Sequence, residues 1–487
     1  MSLRVYNTQS RKKEEFVPLR EGKAGLYACG ITAYDFCHIG HARSAVVFDV
    51  ITRYLRYCGY EVTYVKNFTD VDDKIIDRAR REKKGIAEIA ERFITEHDRD
   101  MAALNVSPPT QSPRATAHID GMIDLVRTLI AKGLAYEMGG DVYFAVEKFP
   151  SYGKLSGRNL QDMMAGARID VNDRKRNPYD FALWKASKEG EPFWESPWGR
   201  GRPGWHLECS VMSQHYLGPA FDIHGGGEDL IFPHHENEVA QSEGATGVPL
   251  ARYWIHNGFV RVNDEKMSKS LGNFFTIRDV LKQYHPEVLR LFLLQSHYRS
   301  PVDFSDAALA ESRQGLNRFY AVLDAIEALN PDAPPDGEAT LSARDREWIA
   351  QIETLPERFR EAMDDDFNTA RAIGYLFDAV RLINTALASR KEPVSPEVLK
   401  RSGQILKEVG SVLGFFRESS ETYLRLDRER EAAKRGLFPA EIEARIAERR
   451  AAREAKAWQE ADAIRKELAD RGVILQDGPA ATTWSIP

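Results

Sequence analysis

The stretch "GLYACGITAYDFCHIGHARSAVVFDVITRYLRYCGYEVTYVKN", Gly25 to Asn67, decides the fold. "GLYAC" is a short apolar run and reads as a strand. From Gly40 the apolar residues recur at helical spacing and stop at Gly59. "EVTYVKN" is β-branched and aromatic and reads as a second strand. Strand, helix, strand is a βαβ unit, and such a unit builds a parallel sheet. The first turn carries no G-x-G-x-x-G, so the usual dinucleotide fingerprint is absent.

The α/β pattern recurs further on. "AFDIHGGGEDL" is a strand entering a Gly-rich turn, "FPHHENEVAQSEGA" opens a helix behind Pro233, and "RYWIHNGFV" is another strand. Between the two stretches the pattern is mixed, which marks residues 121–204 as an insertion. We expect a catalytic domain split over 1–120 and 205–265, then a loop and helical region at 266–330. A linker, "PDAPPDGEAT", follows at 331–340. A helical bundle is expected at 341–405, in which "DREWIAQIETLPERFREAMDDDFNTARAIGYLFDAVRLINTALA" reads as a pair of long helices. A C-terminal region occupies 406–487. After Phe275 the chain reads as helical almost to its end, where Trp458, Ala461, Ile464 and Leu468 form an apolar stripe and a strand closes the chain.

The chain has 487 residues and a formal net charge of −6, so it is no uniformly basic coat for nucleic acid. The opening "MSLRVYNTQSRKKEEF" lacks a signal peptide's apolar core, and no run approaches the ~20 apolar residues of a membrane span. A cytoplasmic protein is expected. Four cysteines, Cys29, Cys37, Cys58 and Cys209, are too few for a disulfide scaffold. Cys58, within an amphipathic run, reads as a buried small hydrophobe.

Three segments carry chemistry. "HIGH", His38 to His41, follows a strand and opens a helix, whose first N–H groups and partial positive charge attract anions. Gly40 lets a ligand approach the backbone, and two imidazoles there can donate to phosphate oxygens. "KMSKS", Lys266 to Ser270, suits a polar loop that closes over polyphosphate, with point charge from Lys266 and Lys269. Either motif alone equally describes an ordinary charged surface turn. Third, "PHHENEV" sets His234 and Glu238 four apart on one helix face. Cys209, in "WHLECS", and Cys29, at a strand end, can join them at the carboxyl edge of a parallel sheet. Two thiolates, one imidazole and one carboxylate make a zinc-type set. Cys37 competes with Cys29 for that role. His206, His224 and His235 are polar neighbours of the set.

Together, "CGITAYDFCHIGHAR", "NFTDVDDKII", "GRPGWHLECSVMS", "FDIHGGGEDLIFPHHENEVAQSE" and "DEKMSKSLGNF" resemble, in order, the segments of the cysteinyl-tRNA synthetases, a class I aminoacyl-tRNA synthetase family. "DDDFNTARAI" is similar to that family's helical (DALR-like) domain, and "WQEADAIRKELADRGVILQD" to its anticodon-recognition region. Ile31 and Ala33 flank Thr32 where proline and valine are common in the family.

The resemblance implies a Rossmann-like class I catalytic domain with an inserted acceptor-end domain, and helical C-terminal domains. It implies activation of L-cysteine by ATP to an adenylate and transfer to tRNA(Cys), with Mg²⁺ accompanying ATP and a single chain as the working unit. One zinc per subunit is expected on Cys29, Cys209, His234 and Glu238. Catalytic roles fall to His38, His41, Lys266 and Lys269. ATP contacts fall to Gly30, Thr32, His38, Gly40, His41, Asp229 and Lys269, and cysteine contacts to Thr69, Trp205, His206, His224 and His235.

Zinc would solve a discrimination problem. Serine and cysteine are near-isosteres that an apolar pocket separates poorly, and a ratio of 10⁴–10⁵ needs roughly 5.5–7 kcal/mol. The modest insertion offers no room for a hydrolytic editing domain. The rival reading is a ligase of the mycothiol pathway that joins cysteine to an amino sugar, but it needs no anticodon reader. "HHENE" is not the H-E-x-x-H of a zinc hydrolase. A non-catalytic RNA-binding relative would not need the complete set of ATP and metal motifs.

Overall fold

The computed structural model describes residues 2–158, 175–262, 275–329, 341–389, 393–477 and 482–486, and the backbone of Glu265 and Lys266. The expected βαβ unit is present as β1 (Lys23–Thr32), α1 (Ile39–Tyr57) and β2 (Glu61–Thr69). Gly59, with φ of +91°, ends the helix turn as only glycine does easily. After the insertion come α2 (Trp205–Leu217), β3 (Phe221–Gly227), α3 (Glu236–Thr246) and β4 (Ala251–Asn257). The four strands form one parallel sheet in the order β4-β3-β1-β2.

Both faces of this sheet are covered, so its strands read as nearly continuous apolar runs. Leu26 and Ala28 of β1 face α1 and a large core that continues into the helical half of the chain. Tyr27 and Cys29, one residue out of phase, face a second core shared with the insertion. The insertion carries its own four-stranded antiparallel sheet, Ala135–Met138, Asp141–Phe144, Phe181–Ala186 and Gly201–Pro203.

Past Phe275 the chain is not purely helical. Val302–Phe304 adds in parallel to Val260–Val262, which also pairs with Glu265–Lys266. The pair of long helices expected after the linker is three: Ala343–Ile352, Leu355–Asp364 and Thr369–Ala388. Pro356 starts the second, and left-handed Asp366 and Phe367 stop it. Near the C-terminus Ala461, Ile464 and Leu468 are buried with Trp484, while Trp458 at the head of the stripe is 58% exposed. The chain closes on an antiparallel pair, Ile474–Asp477 with Thr482–Ser485. Among the described residues, no helix is long and apolar enough to cross a membrane.

The helical half is latched to α1 through two buried charges. Asp49 of α1 forms an ion pair with Arg290 of α4 (Pro286–Leu294), both fully buried. Arg290 also donates to the carbonyls of Leu413 at 2.5 Å and Leu104 at 3.1 Å. Asp49 further accepts from Arg53 at 2.9 Å and from the Ser107 N–H at 2.9 Å. Burial pushes the Asp49 carboxyl up, but the two arginines outweigh it and hold it below its ordinary range. Gly414, with φ of +77°, lies so near that a Cβ would come within 2.3 Å of the Arg290 guanidinium.

Removing one member of such a pair strands the other in the core, at a cost of about 3–5 kcal/mol. Asp49→Ala should therefore lower the denaturant midpoint followed by tryptophan fluorescence, and Arg56→Ala, on the exposed side of the same helix, should leave it unchanged.

Candidate functional site

The carboxyl ends of β1, β2, β3 and β4 open on one crevice of about 570 Å³. β1 and β2 approach closely at Gly30. Its N–H donates to Asn67 Oδ1 at 2.8 Å, and a Cβ there would lie 1.5 Å from the Asn67 carbonyl oxygen. The ladder shifts register between Ala28 and Ile31, a bulge that turns Cys29 and Gly30 toward the crevice.

α1 starts at the crevice wall. His38 caps it, accepting from the Gly40 N–H at 3.0 Å on Nδ1, and His41 Nδ1 accepts from the His38 N–H at 3.4 Å. In each neutral ring Nε2 is then the protonated, donating nitrogen. The rings stack with centroids 3.7 Å apart. Residues just beyond "KMSKS" are tied to this turn: Ile39 N–H donates to Phe275 O at 3.2 Å and Ile277 N–H to Cys37 O at 3.0 Å. Lys266 is described only as backbone in a strand, and Lys269 lies outside the described residues.

Below the crevice floor sits a buried polar cluster. Cys29, Cys209, His234 and Glu238 each offer a donor atom, all within 4.8 Å of one another. The Cys29 and Cys209 sulfurs are 3.7 Å apart, Cys29 Sγ is 3.5 Å from Glu238 Oε1, and His234 Nε2 is 3.1 Å from the same oxygen. A second group, Cys29, His224, His235 and Glu238, is equally compact. Cys29 Sγ lies 3.2 Å from His235 Nε2, and His224 Nε2 lies 2.8 Å from Glu238 Oε2.

The residues fit a thiophilic divalent ion. The first group holds two soft sulfurs, and His234 Nε2 is buried without a well-formed hydrogen bond. Burial works against a charged His234, yet Glu238 and Cys209 push it up to about 10. Burial likewise opposes a charged Glu238, but His224 and His234 bring it down to about 2. The Cys209 thiol is held below its ordinary value, first by the hydrogen bond from Cys29. Burial pushes Cys29 itself up. Negative charge is thus gathered where a cation would bind.

The other expected residues divide in two. Thr32, Gly40, Trp205 and Asp229 line the crevice. Trp205 is 41% exposed and stacks on His234 at 4.1 Å. Thr69, His206, His224 and His235 lie behind it. The Thr69 hydroxyl donates to Glu208 at 2.5 Å, His206 Nδ1 meets His234 Nδ1 at 2.7 Å, and His224 stacks on Trp254 at 4.5 Å. Cys37 is buried in the other core, away from the cluster. The sequence reading missed Asn67 and His256. His256 is next to last in β4, and its Nε2 is 2.8 Å from His235 Nδ1; its place near the carboxyl end of a strand, like that of Cys29 on β1, was the available signal.

The family models and the sequence relatives agree on one family. The family description "tRNA synthetases class I (C) catalytic domain" matches residues 15–314, "DALR domain" matches 358–417, and "Cysteinyl-tRNA ligase anticodon binding domain" matches 435–484. The chain is similar to "Cysteine--tRNA ligase" of Geobacter metallireducens, at 58% identity over all of both chains. The protein of that name from Geobacter sulfurreducens is 57% identical, again over all of both chains. Among solved structures, Mycobacterium tuberculosis methionyl-tRNA synthetase bound by methionyl-adenylate shares the fold, with a TM-score of 0.60 and 18% identity. That match covers 80% of this chain and 90% of the other.

Gly30→Ala cannot be accommodated without moving the β1–β2 seam. It should cost at least the roughly 1–3 kcal/mol typical of overpacking, read as a lower denaturant midpoint, whereas Gly133→Ala, at an open surface turn, should cost less.

Proposed function

The chain belongs to the cysteine–tRNA ligase family of class I synthetases, and we propose that it activates L-cysteine with ATP and transfers it to tRNA(Cys). The observation that carries this reading is the junction of β1 and α1, where a cluster suited to a thiophilic ion and a phosphate-binding turn share one crevice. In the first step a carboxylate oxygen of cysteine attacks the α-phosphorus and pyrophosphate leaves. The His38 and His41 Nε2–H groups donate to phosphate oxygens as charge shifts onto them, in the partial positive field of the start of α1. Lys266 and Lys269 add point charge, and Asp229 accepts from the nucleoside. In the second step a hydroxyl of the tRNA's terminal adenosine attacks the adenylate carbonyl and AMP leaves.

Cys29, Cys209, His234 and Glu238 are the residues we assign to one zinc per chain. The bound ion would supply a partner for the substrate's thiolate that a serine hydroxyl does not match. Trp205, stacked on His234, walls the amino-acid end of the crevice. Thr69, His206, His224 and His235 act from behind, fixing Glu208, His234, Glu238 and Cys29.

We assign the acceptor end of the tRNA to the insertion at 121–204 and its anticodon to 406–487, with a monomer in the cytoplasm as the working form. Family matches at 358–417 and 435–484 favour a tRNA over an amino-sugar acceptor. Within that region Arg449 is buried and bidentate to Asp477 at 2.7 and 2.9 Å. The RNA grip must use other cations.

Purified chain should support cysteine-dependent ATP–pyrophosphate exchange, with serine inert, and should charge tRNA(Cys). Exchange driven by serine, or joining of cysteine to an amino sugar without charging, would sink the reading. Elemental analysis should find one zinc per chain in the wild type and less in Cys209→Ser. His41→Ala should slow adenylate formation roughly 10²–10³-fold while zinc content stays constant.

A further inference from the structure

We propose that Lys66 is a further phosphate-contacting residue of cysteine activation, a cation fixed on the sheet; this rests on the ligase reading above. Lys66 lies near the carboxyl end of β2 and pairs with Ala28 of β1. Its N–H donates to the Gln111 carbonyl at 3.0 Å. The next residue, Asn67, holds Gly30. The backbone that carries Lys66 is therefore clamped from both sides.

The Lys66 side chain is half-buried and lines the crevice beside His38, Gly40 and His41. Among the described residues its ammonium makes no hydrogen bond and no ion pair. Its electrostatic neighbours are Asp98 and the Cys37 thiol. Asp98 already meets His97 Nδ1 at 3.0 Å, and burial pushes Cys37 up to about 12, so that thiol stays neutral. Burial in turn depresses the Lys66 pKa. A cation partly stripped of water and without a dedicated counter-charge is stabilised by an arriving anion.

The surroundings identify that anion. The His38 and His41 imidazoles at the start of α1 line the same crevice, and with the partial positive charge of that helix end they suit phosphate oxygens. Lys74 differs: it is exposed and sits over the Tyr34 ring at 5.3 Å. A lysine on a clamped strand needs no ordering when charge develops, unlike one delivered by a loop.

The test uses full-length Lys66→Met and Lys66→Arg, with Lys66→Gln in reserve if the methionine variant does not fold. Exchange kinetics, the KM for cysteine, zinc content and the thermal midpoint are measured. The neutral variants should lose roughly 10²-fold in exchange kcat, with the cysteine KM, zinc content and midpoint unchanged. Lys66→Arg should recover most of the rate, because the charge and not the packing is at issue. A neutral variant within about threefold of wild type, or an arginine variant as slow as the methionine one, overturns the proposal while wild-type exchange leaves the ligase reading intact. A wild type without cysteine-dependent exchange overturns both.

Discussion

The constraint on which this molecule's centre depends is the complete burial of one carboxylate, Glu238. A buried carboxylate is tolerated only with partners for its oxygens. His224 takes one oxygen, while His234 and Cys29 approach the other. Each partner needs support in turn. His234 meets His206; Cys29 meets His235, which meets His256, which meets Thr8 Oγ1 at 2.8 Å. One desolvated charge thereby fixes side chains from the turn at Thr8, β1, β3, β4, α2 and α3. A network of this kind rigidifies a core because every member's orientation is set by the next.

β1 and α1 join this network to the rest of the chain. Cys29 and the HIGH turn lie on either side of one short connection, and Asp49, three turns along the same helix, meets Arg290. The helix that opens at the proposed phosphate site therefore ends its polar contacts in the helical half. Glu287, on the same helix as Arg290, accepts from the N–H groups of Phe416 and Arg417 at 3.0 and 2.9 Å. The later helices are not an appendage that can be removed cleanly, since truncation after the linker would cost Arg290 its Leu413 carbonyl and Glu287 the Phe416 and Arg417 N–H groups.

The βαβ unit was legible because its apolar spacing switches sharply between periods of two and 3.6. The grouping of Cys29, Cys209, His234 and Glu238 was legible because strand ends converge and an i,i+4 pair shares a helix face. Cys29 is preferred to Cys37 because Cys37 adjoins the HIGH turn, and Cys37 lies in the loop before α1, buried in the other core. Other features were hidden for physical reasons. Val302–Phe304 is too short to show a period, and its strand character comes from a partner some forty residues upstream. Asp366 and Phe367 adopt left-handed φ without glycine, held in part by Asp366 contacts to Tyr6, Tyr298 and Arg299. The burial of Arg449 was hidden because its partner Asp477 comes from another element. Trp458 heads the periodic stripe, but the buried core begins about one helical turn later, at Ala461.

The four donors of the metal-type cluster are divided unequally along the chain, with Cys29 before the insertion and Cys209, His234 and Glu238 after it. During synthesis Cys29 and Glu238 emerge roughly 10–40 s apart at ordinary elongation rates of 5–20 residues per second. Through that interval the first thiol is already made, and its partners do not yet exist. Closing the cluster is thus a late event on the ribosome, and the nascent N-terminal half needs protection from stray oxidants and metals until the second half arrives.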